Sequence, residues 1–107
     1  MDNIIQEVVA LRRFFHQNPE LGCEEYKTSE KIACVLRETG IQYEKVANTG
    51  ITAFLKGRGK TTIGLRADMD ALPVEEKTGL PFASVNNGIM HACGHDGPLA
   101  VLLGVAK

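Results

Sequence analysis

The hydrophobic pattern changes period once along the chain. Over residues 3 to about 17, Ile4, Ile5, Val8, Leu11, Phe14 and Phe15 recur at three- and four-residue steps. That spacing predicts an amphipathic helix. Asn18-Pro19 should end it, because a proline disfavours the helical region for the residue before it. A second helix is expected from about Glu24 to Thr39, with Ile32, Val35 and Leu36 on its apolar side and Gly40 as its C-terminal stop. The period then falls to two. Residues 41–46, 51–55 and 61–66 read as three short strands, with Gly57-Arg58-Gly59-Lys60 as a hairpin loop between the last two. Residues 71–88, rich in Pro, Gly, Asn and charge, read as a loop.

The last segment, Pro98 to Lys107, is helix-like, and a proline suits a first helical turn. Leu99, Ala100, Val101, Leu102, Leu103, Val105 and Ala106 make it apolar almost all round. A helix of that kind is expected to be buried on most faces. It runs to Lys107 with no clear C-cap, so the chain reads as the N-terminal piece of something longer. The expected class is α/β: two helices, then a mixed sheet with a hairpin, ending in a truncated buried helix.

Composition narrows the function. The 107 residues are expected to form one domain. Hydrophobic content of 44% and charged content of 23% suit a soluble globular protein. A net charge of -1 gives no electrostatic footprint for nucleic acid. No apolar run approaches the ~20 residues that span a bilayer. The start, MDNIIQEVVALRRFF, has no basic region followed by an apolar stretch and a small-residue cleavage site, unlike a signal peptide. Cys23, Cys34 and Cys93 are odd in number and widely spaced, which suits a reduced, cytoplasmic protein.

Chemistry concentrates in two places. One is Arg66-Ala67-Asp68-Met69-Asp70, closing an expected strand. The other is MHACGHDGP, residues 90–98, which sets His91, Cys93, His95 and Asp96 within six residues. Both stand at strand-end and helix-start junctions, where open α/β sheets build sites. Thiolate and imidazole suit zinc and neighbouring metals, and carboxylates suit harder ions such as manganese. In extended chain, Cys93 and His95 face one side, and Gly94 permits a tight backbone between them. Spacing alone leaves three readings open: a metal pair, a thiol at Cys93 activated by a histidine, or a turn with a small cysteine. Asp68 and Asp70 also share a face. They serve either to orient a metal-bound histidine or simply to end a strand. His16, at the end of the first helix, is expected to cap carbonyls. Glu24, Glu25, Lys27 and Lys31 are expected to form a solvated face.

Three segments, LRRFFHQNPELGCEEYKTSEKI, IGLRADMDALPVEEKTGLPFAS and GIMHACGHDG, together resemble the metal-dependent amidohydrolases of the M20 peptidase family. The nearest branch holds hippurate hydrolases, N-acyl-amino-acid deacylases, N-acetyldiaminopimelate deacetylases and auxin-conjugate hydrolases. The likeness runs from about residue 6 to the last residue. RADMDALP combined with MHACGHD is highly specific for that branch.

The resemblance implies residues 1–107 of a zinc-peptidase-like catalytic domain, with the rest of that domain and a lid or dimerisation domain lying outside the chain. It implies two Mn²⁺ or Zn²⁺ ions and hydrolysis of an amide bond in a small N-acyl amino acid by metal-activated water. Cys93 and His95 match two metal ligands. Asp70 matches the aspartate that orients the metal site. Asp68 stands where the wider family has a ligand histidine, so it is not assigned as a ligand. Asp68, His91 and Asp96 are expected to support the ligands from behind. A glutamate base and further ligand histidines would lie beyond residue 107. Pro98 departs from the branch pattern HACGHDGH, in which a histidine stands there, and Leu99 replaces a smaller polar residue. The fold should survive, but the loss of that histidine puts the usual activity in doubt.

Two other readings remain. The chain could be a stand-alone, non-catalytic remnant that binds metal weakly or serves in interactions. It could also carry a thiol activity at Cys93. An apolar terminal helix without its partner would also favour a homodimer.

Overall fold

Helix α1 (Asp2–Gln17) turns Leu11 and Phe15 fully inward and Val8 partly. The computed structural model describes residues 2–107. Asn18 closes the helix: its backbone N–H and its side-chain amide both donate to the Phe14 carbonyl, at 3.1 and 2.9 Å. Pro19 then carries the chain away, as the sequence predicts.

Helix α2 (Tyr26–Thr39) buries Ile32, Val35 and Leu36 and ends at Gly40. Gly40 adopts φ 77°, a left-handed stop that favours glycine. The residue before α2, Glu25, makes no capping bond. Glu20 supplies the cap instead. Its carboxylate accepts from the Lys27 and Thr28 amides at 3.0 and 2.6 Å and from the Thr28 hydroxyl at 2.7 Å. Glu25 is not on a solvated face. It is buried and accepts a 3.1 Å bond from the Thr49 hydroxyl. Lys31 lies over the Phe14 ring, 4.7 Å from its centre.

The sheet is smaller than the pattern predicts. Strands β1 (Tyr43–Val46) and β2 (Gly50–Ala53) pair antiparallel, with Tyr43 opposite Ala53 and Val46 opposite Gly50. The turn between them places Ala47 at φ 50° and Asn48 at φ 70°. The hairpin is therefore closed at 47–49 rather than at 57–60. Residues 61–66 join no ladder among the described residues, and Ile63 and Leu65 stay exposed. Alternating composition marks a segment fit for a sheet, but a strand forms only where a neighbour offers its backbone.

Helix α3 (Asp96–Ala106) begins two residues before Pro98, which occupies the third helical position. A missing N–H costs nothing there, since the first four have no partner within the helix. Leu99, Ala100 and Leu103 pack against α1 and α2 and complete the core with Leu11, Phe15, Ile32, Val35 and Leu36. Burial is one-sided rather than all round: Val101 and Val105 face outward. Gly104 faces α1 so closely that an added methyl would overlap Val8 Cγ2. No helix among the described residues is long and apolar enough to cross a membrane.

Candidate metal centre

The segment after α1 organises the site. The Glu20 carbonyl accepts the Ala71 amide at 2.8 Å, and Leu21 bridges Ala71 in parallel. Leu72 in turn exchanges two backbone bonds with Met90, at 2.9 and 3.0 Å. These contacts bring the RADMDALP segment against MHACGHDGP.

Asp70 and His95 meet there. The His95 Nδ1 lies 2.9 Å from Asp70 Oδ1 and 3.0 Å from the Asp70 carbonyl. Both neighbours are acceptors, so Nδ1 carries the proton. In the neutral ring the lone pair then belongs to Nε2. That is the arrangement in which a carboxylate sets the tautomer of a metal-binding histidine. Nε2 points toward Asp68, whose Oδ2 is 3.9 Å away and whose other oxygen is bound by Arg66 at 3.0 Å. Cys93 is exposed and free of any disulfide on the same turn. Gly94, at φ 89°, makes the left-handed bend between the thiol and the imidazole. An accessible thiol beside an oriented imidazole is a donor set suited to Zn²⁺ or a similar ion. Among the described residues, no three His, Cys, Asp or Glu side chains converge to hold a metal.

The remaining motif residues go elsewhere. His91 is buried, and neither ring nitrogen has a hydrogen-bond partner. Burial holds it below the usual histidine range; Asp96 and Asp70 oppose that, while His16 and His95 reinforce it. Asp96, 2% exposed, turns away from His95 toward α1. Its Oδ2 accepts from Arg12 Nε and from His16 Nδ1, both at 2.9 Å.

His16 is not a helix cap. Its ring is buried, bound at Nδ1 to Asp96 and at Nε2 to Glu76 at 3.0 Å, with its edge against Phe82. Arg12 and Arg13 lie over the Phe82 ring, 5.2 and 5.0 Å from its centre. Burial pushes the Glu76 carboxyl up. Bonds from Thr78, the Ser84 amide and His16 outweigh it and leave the group below its ordinary value. This cluster is missing from the sequence reading. Its signal was the four-residue step from Val8 to Arg12 to His16, which runs two polar residues along the edge of the core-facing stripe.

Residues 64–107 match the model of Peptidase family M20/M25/M40. The chain is 49% identical to the N-acetyl-L-cysteine deacetylase of Bacillus subtilis, over 99% of its own length and 26% of that enzyme's. It is 46% identical to the hippurate hydrolase of Campylobacter jejuni, over 98% of itself and 30% of the relative. The crystal structure of a dinuclear metal binding peptidase from the M20 family of Bacillus subtilis superposes with a TM-score of 0.93 at 42% identity. That superposition covers 99% of this chain and 31% of the other. The fold is thus the N-terminal part of the M20 architecture. The chain resembles the M20 peptidase family, and it spans between about a quarter and a third of the length of these relatives.

Proposed function

We propose that these residues form one wall of the metal site of an amidohydrolase that cleaves the amide bond of small N-acyl amino acids. Cys93 and His95 are the ligands this chain contributes, and Asp70 orients His95. The observation that carries the reading is the 2.9 Å contact between Asp70 Oδ1 and His95 Nδ1, which leaves Nε2 free to coordinate. The relatives' activities, deacetylation of N-acetyl-L-cysteine and hydrolysis of hippurate, support an N-acyl amino acid substrate.

A bound Mn²⁺ or Zn²⁺ would supply Lewis-acid polarisation of the amide carbonyl and a water acidic enough to attack near neutral pH. The work of this chain is to hold that ion. Gly94 bends the backbone so that Cys93 and His95 stand on one turn, and Asp70 fixes the ring and raises its basicity as a ligand. The remaining ligands and the general base come from outside residues 1–107. The absence of a third converging donor among the described residues favours a second statement. Alone, these 107 residues bind metal weakly and hydrolyse nothing, since catalytic zinc sites typically use three protein ligands plus water.

The test is metal binding by the chain with Cys93→Ser and His95→Gln alongside, and hydrolysis of N-acetyl and N-benzoyl amino acids. Loss of binding in both variants with no turnover is expected. Undiminished binding in both variants would overturn the ligand assignment. Metal-dependent turnover by the chain alone would overturn the division of the site.

A further inference from the structure

The Cys93–Gly94–His95 span is short, and it is held from its two ends. On one side, Met90 is fixed by its paired bonds to Leu72. On the other, the Gly94 and His95 carbonyls accept the Gly97 and Leu99 amides, both at 3.2 Å, as α3 begins. Neither set of bonds decides where the start of α3 sits relative to α1. Leu99, Ala100 and Leu103 seat the body of α3 on the core, and at its first residue the Asp96 carboxylate makes the polar tie to α1, because it is buried and its Oδ2 is bound by the α1 side chains Arg12 and His16. Arg12 is partly exposed, and its guanidinium also covers Phe82. His16 is the fully buried member of the pair.

His16 reaches further. Its second nitrogen binds Glu76, which also accepts from the Ser84 amide and the Thr78 hydroxyl and so folds the 76–84 loop on itself. The ring thus joins three segments through its two nitrogens: α1, the start of α3, and this loop; Arg12 spans the same three through Asp96 and the face of Phe82, but from a partly exposed position. Asp96 is ion-paired with Arg12. Each ring nitrogen faces a carboxylate oxygen, Nδ1 toward Asp96 and Nε2 toward Glu76, and Arg12 is the second partner of Asp96. Removing the ring would leave two carboxylates, whose side chains are each 3% exposed, short of a hydrogen-bond partner each. Such loss is strongly unfavourable in a buried setting.

We propose that His16 is a positioning residue for the metal-ligand turn: by binding Asp96, the neighbour of His95, it fixes where Cys93 and His95 stand. The proposal rests on the reading of those two residues as ligands. Its anchoring step can be tested apart from that reading.

Three variants separate the roles. His16→Phe keeps bulk and removes both ring nitrogens. His16→Asn places a donor near the position of Nδ1, toward Asp96. His16→Gln places one near Nε2, toward Glu76. The first readout is amide hydrogen exchange. His16→Phe is expected to speed exchange at Gly97 and Leu99 while the interior amides of α2 stay unchanged, and His16→Asn restores protection better than His16→Gln. An equal rise in α2, or equal rescue by the two amides, would show a general stability role and overturn the proposal.

The second readout is Co²⁺ titration followed by the thiolate–cobalt absorption. Affinity is expected to fall about tenfold in His16→Phe, the low end for groups that orient ligands, and to recover in His16→Asn. If exchange at the turn rises but cobalt affinity is unchanged, the positioning claim fails. If Cys93→Ser binds Co²⁺ as the wild type does, the ligand reading fails. Exchange at Gly97 and Leu99 then still decides whether His16 anchors the turn.

Discussion

Asp70 and His95 stand 25 positions apart and meet at 2.9 Å, carboxylate oxygen to ring Nδ1. Everything proposed for the site depends on that contact, because it assigns the proton to Nδ1 and leaves Nε2 for a metal. Replacing Asp70 with Ala should weaken metal binding by about 10- to 100-fold, the usual cost of losing a group that orients a ligand. Isothermal titration with Zn²⁺ measures it. The thermal unfolding of the metal-free protein should change little by comparison, since Asp70 is 40% exposed.

Glu20 links the cap of α2 to the site, accepting two helix amides through its side chain and the Ala71 amide through its carbonyl. Glu20→Ala removes only the side-chain bonds. We expect a loss of about 1–2 kcal/mol, the cost of losing a helix cap. Glu20→Gln keeps acceptors and should lose less. The midpoint of urea unfolding decides.

Most of the chain's elements were legible because their signals are local. The α1 stripe, the Asn18-Pro19 stop, the Gly40 stop and the period change near residue 41 each rest on a few neighbouring residues. The hairpin was misplaced because Gly57 to Lys60 look like a turn, while the actual one uses Ala47 and Asn48 with positive φ. The 61–66 segment carries β composition, but pairing is a property of the neighbour, not of the segment. Of the proposed site, Asp70, Cys93 and His95 stand out in the sequence as motif residues, and the structure brings Asp70 against His95. The partners of His16 do not stand out, since Glu76 and Asp96 lie 60 and 80 positions away and nothing local marks their burial.

Glu76 gives the acid side of stability a defined contributor. Its folded-state carboxyl lies below its ordinary value of 4.5, so the unfolded chain binds the proton more readily. The stabilisation is present above that value and is lost as pH falls through the folded one. Glu76→Gln should therefore flatten the fall in melting temperature between about pH 5 and pH 3 relative to wild type. Parallel curves for the two proteins would show that Glu76 gains nothing from its bonds.

His91 is buried with both nitrogens unbonded. An unsatisfied buried polar group costs about 1–3 kcal/mol. His91→Leu removes it at similar volume, and the metal-free chain should become about 1 kcal/mol more stable, or at worst unchanged. Calorimetry that shows a clear loss would mean His91 is hydrogen-bonded in solution.

Gly104 sits where a methyl would overlap Val8. Ala favours a helix over Gly by about 1 kcal/mol. Overpacking costs about 1–3 kcal/mol, and the stiff β-branched Val8 has little room to yield. Gly104→Ala should therefore be net destabilising, and Gly104→Ala with Val8→Ala should recover the loss. Denaturant midpoints of the two variants settle the sign.

Cys93 and His95 are proposed as the metal ligands of this chain. The most direct measurement is the thiolate–cobalt absorption on Co²⁺ titration of the wild-type chain, Cys93→Ser and His95→Gln. A saturable band is expected in the wild type, no band in Cys93→Ser, and at least tenfold weaker binding in His95→Gln. A wild type that gives no band, or a His95→Gln variant that binds as tightly, would contradict that assignment.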